Sequence, residues 1–216
     1  MKCDHRWAQS AAARYMREAH KLRLVMVCDH CGAEQSEIDL IDYEPHARRY
    51  VAHLAELTSM QMDLSDGQTA KVRLAALICG VGRDQISPRV LNKVGPLDDA
   101  EWEEVRRQPE LGAALLSEAT FDDIREWILA HRERPDGRGY PRGLFRGQIP
   151  LEARILAVTQ AYAAMTSERP YRLTRTHREA CQELWRCAGT QFDRSVVQAF
   201  LHASVHRNEH LSRAVA

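Results

Sequence analysis

From Pro45 onward the apolar side chains return at three- and four-residue steps, and that period decides what most of this 216-residue chain can become. His46, Tyr50, Leu54 and Leu57 share one face of a first helix. Gln68 to Cys79 predicts a second, stopped by Gly80 and Gly82. Asp98 and Glu101 have the spacing of a capping box for a helix through Trp102 and Val105. Pro109 is expected to break that helix, with a further turn or two running to Glu118. Phe121 to Arg132 sets Ile124, Trp127, Ile128 and His131 on one stripe. Helices over 151–166, 176–188 and 193–206 complete the set, and Thr176 with Glu179 forms another capping box. Residues 134–143 are too dense in proline and glycine to join any helix. Trp102, Trp127 and Trp185 fall on helical stripes and are expected in the core, with Cys181 and Cys187 half-buried. The prediction is an all-α domain over residues 45–206, followed by a tail over 207–216.

The first 42 residues read as a separate, β-containing module. Leu22 to Val27 is β-prone, Ser10 to His20 predicts a short helix, and Ser36 to Pro45 reads as the connection to the helical part. Cys3-x-His5 and Cys28-x-x-Cys31 can supply the two knuckles of a tetrahedral, zinc-ribbon-like site. Gly32 permits the tight turn behind the second knuckle. A segment this short rarely folds on apolar burial alone, so a bound Zn2+ would account for its existence. With four protein donors there is no open coordination position, and such a zinc is structural. The alternative, a redox CxxC pair, lacks a surrounding βαβ pattern.

Composition excludes more than it selects. Hydrophobic content of 44% with 6% aromatic suits an aliphatic helical core, and no apolar run of 18 residues exists to span a membrane. Six cysteines and no apolar segment near Met1 point to the reducing cytoplasm. The net charge is zero, which gives no overall drive toward nucleic acid, and nucleic-acid binding is not expected. The charge is uneven, however. Between His131 and Arg178 stand ten arginines and four acidic residues. Guanidinium groups around a Gly/Pro loop match phosphate oxygens.

Three motifs carry a family resemblance. His131-Arg-Glu-Arg-Pro-Asp-Gly-Arg-Gly-Tyr140-Pro141, then Ile149-Pro-Leu-Glu-Ala-Arg-Ile-Leu-Ala, then Met165-Thr-Ser-Glu-Arg-Pro-Tyr-Arg172 stand in the order found in HD-GYP phosphodiesterases. Those proteins are the bacterial hydrolases of cyclic di-GMP, and the resemblance covers about residues 45 to 203. It implies a helical HD-type fold with two or three metals, usually iron or manganese, that activate a water. It also implies metal-ligand positions at His46 and His131. The chain departs from the pattern elsewhere. Cys79 and Gly80 stand where the resemblance places the His-Asp dyad, and Arg83 where it places a lysine. Gln108 replaces an expected His, Arg132 the second His of the HHE triplet, and Gln160 an expected Asp.

Two imidazoles without a carboxylate cannot hold a dinuclear centre. The sequence therefore predicts that catalytic Fe or Mn is absent and that His46 and His131 are residual, unoccupied positions. No residue is assigned a catalytic role. Arg83, Arg132, Asp136, Gly139, Tyr140, Pro141, Arg169 and Arg172 are the candidate ligand-binding residues. The reading is a non-catalytic regulatory or interaction protein on a degenerate HD-GYP fold, sensing a cyclic dinucleotide or another phosphate ligand. A GGDEF-type cyclase is the partner that the resemblance implies for the GYP loop. The alternative is a cyclic di-GMP phosphodiesterase with an atypical site, in which Cys79, His46 and His131 hold one metal.

Overall fold

The computed structural model describes residues 11–16, 21–27, 34–40, 45–116, 121–167 and 174–214, with side chains described within 48–116, 121–167 and 174–204. Three antiparallel strands come first: β1 (Ala11–Met16), β2 (Lys21–Val27) and β3 (Glu34–Leu40), in the order β1-β2-β3. The expected strand over 22–27 is β2. The expected helix over 10–20 is replaced by β1, whose backbone pairs with β2 from Ala11↔Met26 to Met16↔Lys21. The expected connection over 36–45 contains much of β3. In both segments pairing with a partner strand overrides local propensity.

The helical part runs α1 (Pro45–Gln61), α2 (Asp66–Ile78), α3 (Val81–Asp84), α4 (Pro88–Leu91), α5 (Asp99–Arg106), α6 (Gln108–Ala113), α7 (Asp122–Ala130), α8 (Leu151–Thr166), α9 (His177–Arg186) and α10 (Arg194–Ala214). Both predicted capping boxes form, Asp98 with Glu101 on α5 and Thr176 with Glu179 on α9. Pro109 does not end a helix. It sits in the first turn of α6, where its missing N–H costs nothing.

α2 and α8 make the centre of the core. Val72, Leu74, Leu77 and Ile78 of α2 belong to the same buried cluster as Ile155, Leu156 and Val158 of α8, all at most 5% exposed. Each such burial stabilises by roughly 1.5–3 kcal/mol. On α1, Ala52, Leu54 and Ala55 close one side, and Thr58 and Ser59 are buried with their hydroxyls donating to the carbonyls of Leu54 and Ala55. Tyr162 of α8 packs its ring 4.8 Å from that of Phe200 on α10 and joins its hydroxyl to His177 Nδ1 at 2.8 Å.

Trp127 is core as expected, but Trp102 is 44% and Trp185 47% exposed. α5 spans eight residues and buries only Glu101, so it offers Trp102 no apolar groove. The Trp185 ring lies at the end of α9, with the Arg194 guanidinium 5.7 Å from its centroid. Cys181 and Cys187 are half-buried, in line with the sequence. Among the described residues, no helix is long and apolar enough to cross a membrane.

Candidate functional site

Four helix ends converge on the residues that depart from the family pattern. α2 is capped at its start by Ser65, whose Oγ accepts from the Gln68 amide at 3.3 Å, and at its end by Cys79. Gly80 follows, and the short α3 then packs against α6. A side chain at Gly82 would run into the Gln108 carbonyl oxygen and the Gly112 amide, so only glycine lets these two helices approach so closely. This contact holds Gln108 beside the end of α2. His131 closes α7, and Arg132 leads into the proline- and glycine-rich loop.

Cys79 is 1% exposed, accepts a hydrogen bond from Gln160 Nε2 of α8 and donates to the Ala76 carbonyl at 3.3 Å. Burial pushes its thiol up to about 11, against the Gln160 hydrogen bond and the nearby charges of Arg132 and Arg48. It is a neutral thiol, not a thiolate. Arg132 donates from Nη2 to Gln108 Oε1 at 3.2 Å, and its buried Nε has no partner among the described residues.

His131 is 1% exposed, with Nδ1 2.5 Å from the Ile128 carbonyl oxygen and Nε2 buried without a partner. Burial first, then the Arg132 charge, lower its pKa to about 3, and the carbonyl contact opposes them. The ring is neutral. Arg48 on α1 forms an ion pair with Asp84 of α3, and a Cβ on Gly80 would stand 3.5 Å from Arg48 Nε. Among the described residues, no three His, Cys, Asp or Glu side chains lie together as a metal would need.

The loop after Arg132 is built around Glu133. This carboxylate is buried and accepts from the amides of Arg142 and Leu144, at 2.7 and 2.9 Å. The Tyr140 amide donates to the Arg132 carbonyl at 3.3 Å, and Tyr140–Pro141 is a cis peptide. Any side chain on Gly139 would collide with the Glu133 backbone. Asp136 accepts from Arg134 Nε and Nη2, at 3.0 and 2.6 Å, and from the Arg138 amide at 3.1 Å. The Arg134 hydrogen bonds hold its carboxyl below the usual carboxylate range. Gly137 has φ +73°, and the Asp136 amide donates to the Thr190 carbonyl at 3.1 Å, tying the loop to the α9–α10 turn.

Of the sequence candidates, the structure thus brings Cys79, Gln108, Arg132, His131 and Gln160 into one neighbourhood. Arg83 stands half-buried on α3. Gly139, Tyr140 and Pro141 lie on the loop. Arg169, Arg172, Cys3, His5, Cys28 and Cys31 lie outside the described residues, as does the side chain of His46. Sequence reasoning missed Arg48, Asp84 and Glu133. The signal for Arg48 was Gly80, whose absent side chain leaves room beside the guanidinium. The signal for Glu133 was a carboxylate directly before a loop rich in unpaired amides.

A family model described as HD domain matches residues 24–196. The cyclic di-GMP phosphodiesterase response regulator RpfG of Xanthomonas campestris is 38% identical over 70% of this chain and 41% of its own length. A cyclic di-GMP phosphodiesterase of Thermotoga maritima is 32% identical over 77% of this chain and 46% of its own. The chain thus spans less than half the length of these relatives. Among solved structures, the cyclic GMP-AMP specific phosphodiesterase V-cGAP3 of V. cholerae superposes with a TM-score of 0.60 at 19% identity, covering 78% of this chain and 45% of that one. The HD domain of the L. monocytogenes phosphodiesterase PgpH gives 0.53 at 14% identity, covering 77% and 92%. These last two show a shared fold. With most of its length matched by the family model and its helices arranged as in these structures, the chain belongs to the HD domain family.

Proposed function

We propose that this chain is a non-catalytic regulatory or interaction protein on a degenerate HD-GYP fold, which receives a cyclic dinucleotide or another phosphate-bearing ligand in the cytoplasm. One observation carries the reading: the Arg132 guanidinium, held by neutral Gln108, stands in the same neighbourhood as a neutral Cys79 thiol held by Gln160. A dinuclear iron or manganese centre needs carboxylates and neutral imidazoles converging on the cations. The residues present do not fit such a centre, because a fixed positive charge opposes cation binding and an un-ionised thiol is a poor ligand. Guanidinium groups in that place keep the attraction for phosphate without activating a water.

On this reading residues 1–42 form a zinc-stabilised module through Cys3, His5, Cys28 and Cys31, and residues 45–206 the receptor domain. The exposed Pro141 and Phe145 on the loop leave it open to a protein partner such as a GGDEF-type cyclase. The second reading, a cyclic di-GMP phosphodiesterase with one metal on Cys79, His46 and His131, is favoured by the activity named for the relatives.

Purified full chain, incubated with cyclic di-GMP and either Mn2+ or Fe2+, separates the two. The expected result is no linear product above a protein-free blank. Metal-dependent turnover that disappears in Cys79→Ala would establish the hydrolase instead.

A further inference from the structure

Two short stretches of opposite charge each expose an aromatic ring. Residues 138–146 carry Arg138, Arg142 and Arg146 and no acidic residue. Residues 98–104 carry Asp98, Asp99, Glu101, Glu103 and Glu104 and no basic one. Phe145 stands in the first and Trp102 in the second, each nearly half exposed. Among the described residues, no ion pair joins the two stretches within the chain.

The basic stretch is held by its own backbone. Asp136 and Phe145 form an antiparallel bridge, the Arg146 amide donates to the Pro135 carbonyl at 3.3 Å, and the Phe145 amide donates to Gln148 Oε1 at 2.9 Å. The Phe145 ring lies against Gly137, where a Cβ would stand 3.4 Å from its Cδ2. Arg146 has φ +43°, a conformation that costs a non-glycine residue free energy, and its guanidinium sits 5.1 Å from the centroid of the Phe145 ring. Arg142 is paired with Glu126, whereas Arg138 and Arg146 are exposed and form no ion pair among the described residues. Asp136, the nearest carboxylate in sequence, is already held by Arg134.

On α5, Asp99, Trp102, Glu103 and Arg106 follow steps of three and four, so they share one face, and all four are exposed. Glu101 and Glu104 are occupied by their own neighbours, Lys93 and the Ser87 amide. Asp99 forms no ion pair among the described residues, and Glu103 meets only the exposed Arg106 one turn on, at 2.6 Å. A tryptophan left in water here is apolar area that a partner can cover with gain.

We infer that this face of α5 is the docking site for the basic loop of a second copy of the chain. Asp99 and Glu103 of one copy complete Arg138 and Arg146 of the other, and Trp102 packs on the Phe145–Arg146 stack. The contact is heterologous. Each copy offers one loop and one α5, so a pair leaves one of each free and association continues past the dimer. Ion pairs this exposed are individually weak and screened by salt, which makes the contact transient. The inference goes beyond the proposed function, since a chain can associate in this way whatever its central residues bind or hydrolyse.

Sedimentation velocity on the full chain tests this, from about 10 to about 500 µM at about 50 mM and at about 500 mM salt. At low salt the weight-average mass is expected to rise with concentration without a plateau at the dimer, and at high salt to return to the monomer. Arg138→Glu/Arg146→Glu and Asp99→Lys/Glu103→Lys should each stay monomeric, because like charges then face each other. An equimolar mixture of the two should associate again, because each supplies the opposite charge that the other lacks. Should either lose its cooperative thermal transition, Arg138→Gln/Arg146→Gln decides in its place, and it is expected to sediment as a monomer at low salt. A monomer throughout for the unaltered chain, association that survives the charge changes, or a mixture that stays monomeric would each overturn the inference. So would a monomeric chain that binds an oligoglutamate peptide through Arg138 and Arg146, which gives the loop to a foreign acidic partner.

Discussion

Cys79 and His131 sit in the same centre and share the first cause of their neutrality, burial, which can be measured at each of them. A buried thiol raised to about 11 offers almost no thiolate at neutral pH. Iodoacetamide should therefore leave Cys79 unmodified in the native chain and label it in denaturant, as peptide mass spectrometry would read. Labelling of native Cys79 as fast as that of half-buried Cys187 would contradict the geometry. For His131 the folded pKa of about 3 lies below the ordinary value of 6.5, so between these pH values the unfolded chain binds the extra proton. Stability from this group is full above about pH 6.5 and falls as pH drops toward 3. The loss should reach the order of a few kcal/mol, and His131→Gln should flatten that part of a denaturation-versus-pH curve. The sequence names Cys79 as a departure and His131 as a retained position, but not the partners that each finds. Gln160 and Cys79 are 81 residues apart, and no local pattern announces that an amide will donate to that sulfur. Arg48 is invisible for a related reason, since its partner Asp84 belongs to another helix.

At the scale of elements, the helices were the legible part, because an amphipathic period and a capping box are local properties that survive into the fold. Asp98, Glu101, Thr176 and Glu179 do in the structure what their spacing predicts. β1 was not legible: Ala11-Ala-Ala-Arg-Tyr-Met carries no alternation, and its extended form comes from pairing with β2. The two exposed tryptophans mislead similarly, since helical spacing does not tell whether a neighbour exists to cover the stripe. Close approach was half legible. Gly82 reads as a helix stop, whereas its larger role is to let α3 lie on α6. Gly82→Ala should destabilise by on the order of 3 kcal/mol through overpacking, seen as a lower chemical-denaturation midpoint at unchanged slope. Glu133→Ala removes two charge-assisted bonds to the loop amides and should cost about 3 kcal/mol or more. Its amide exchange should rise first at Arg142 and Leu144, and an unchanged exchange pattern there would argue that the loop holds itself.

Across the whole molecule, the proposed function predicts a definite metal content, one structural zinc and no catalytic iron or manganese. Elemental analysis of purified protein should find one zinc per chain, lost in Cys28→Ser/Cys31→Ser, with neither iron nor manganese. Two or more metals persisting in that variant would return the chain to hydrolysis. There remains the place of Gly80 beside Arg48, with room for a methyl group and with a guanidinium already paired to Asp84. An aspartate introduced at residue 80 would meet that guanidinium before any cation, and the gain would be a second ion pair rather than a ligand. Under the proposed function, a carboxylate at position 80 becomes free for a cation only when Arg48 is replaced as well, so the two positions are coupled across α1 and the end of α2.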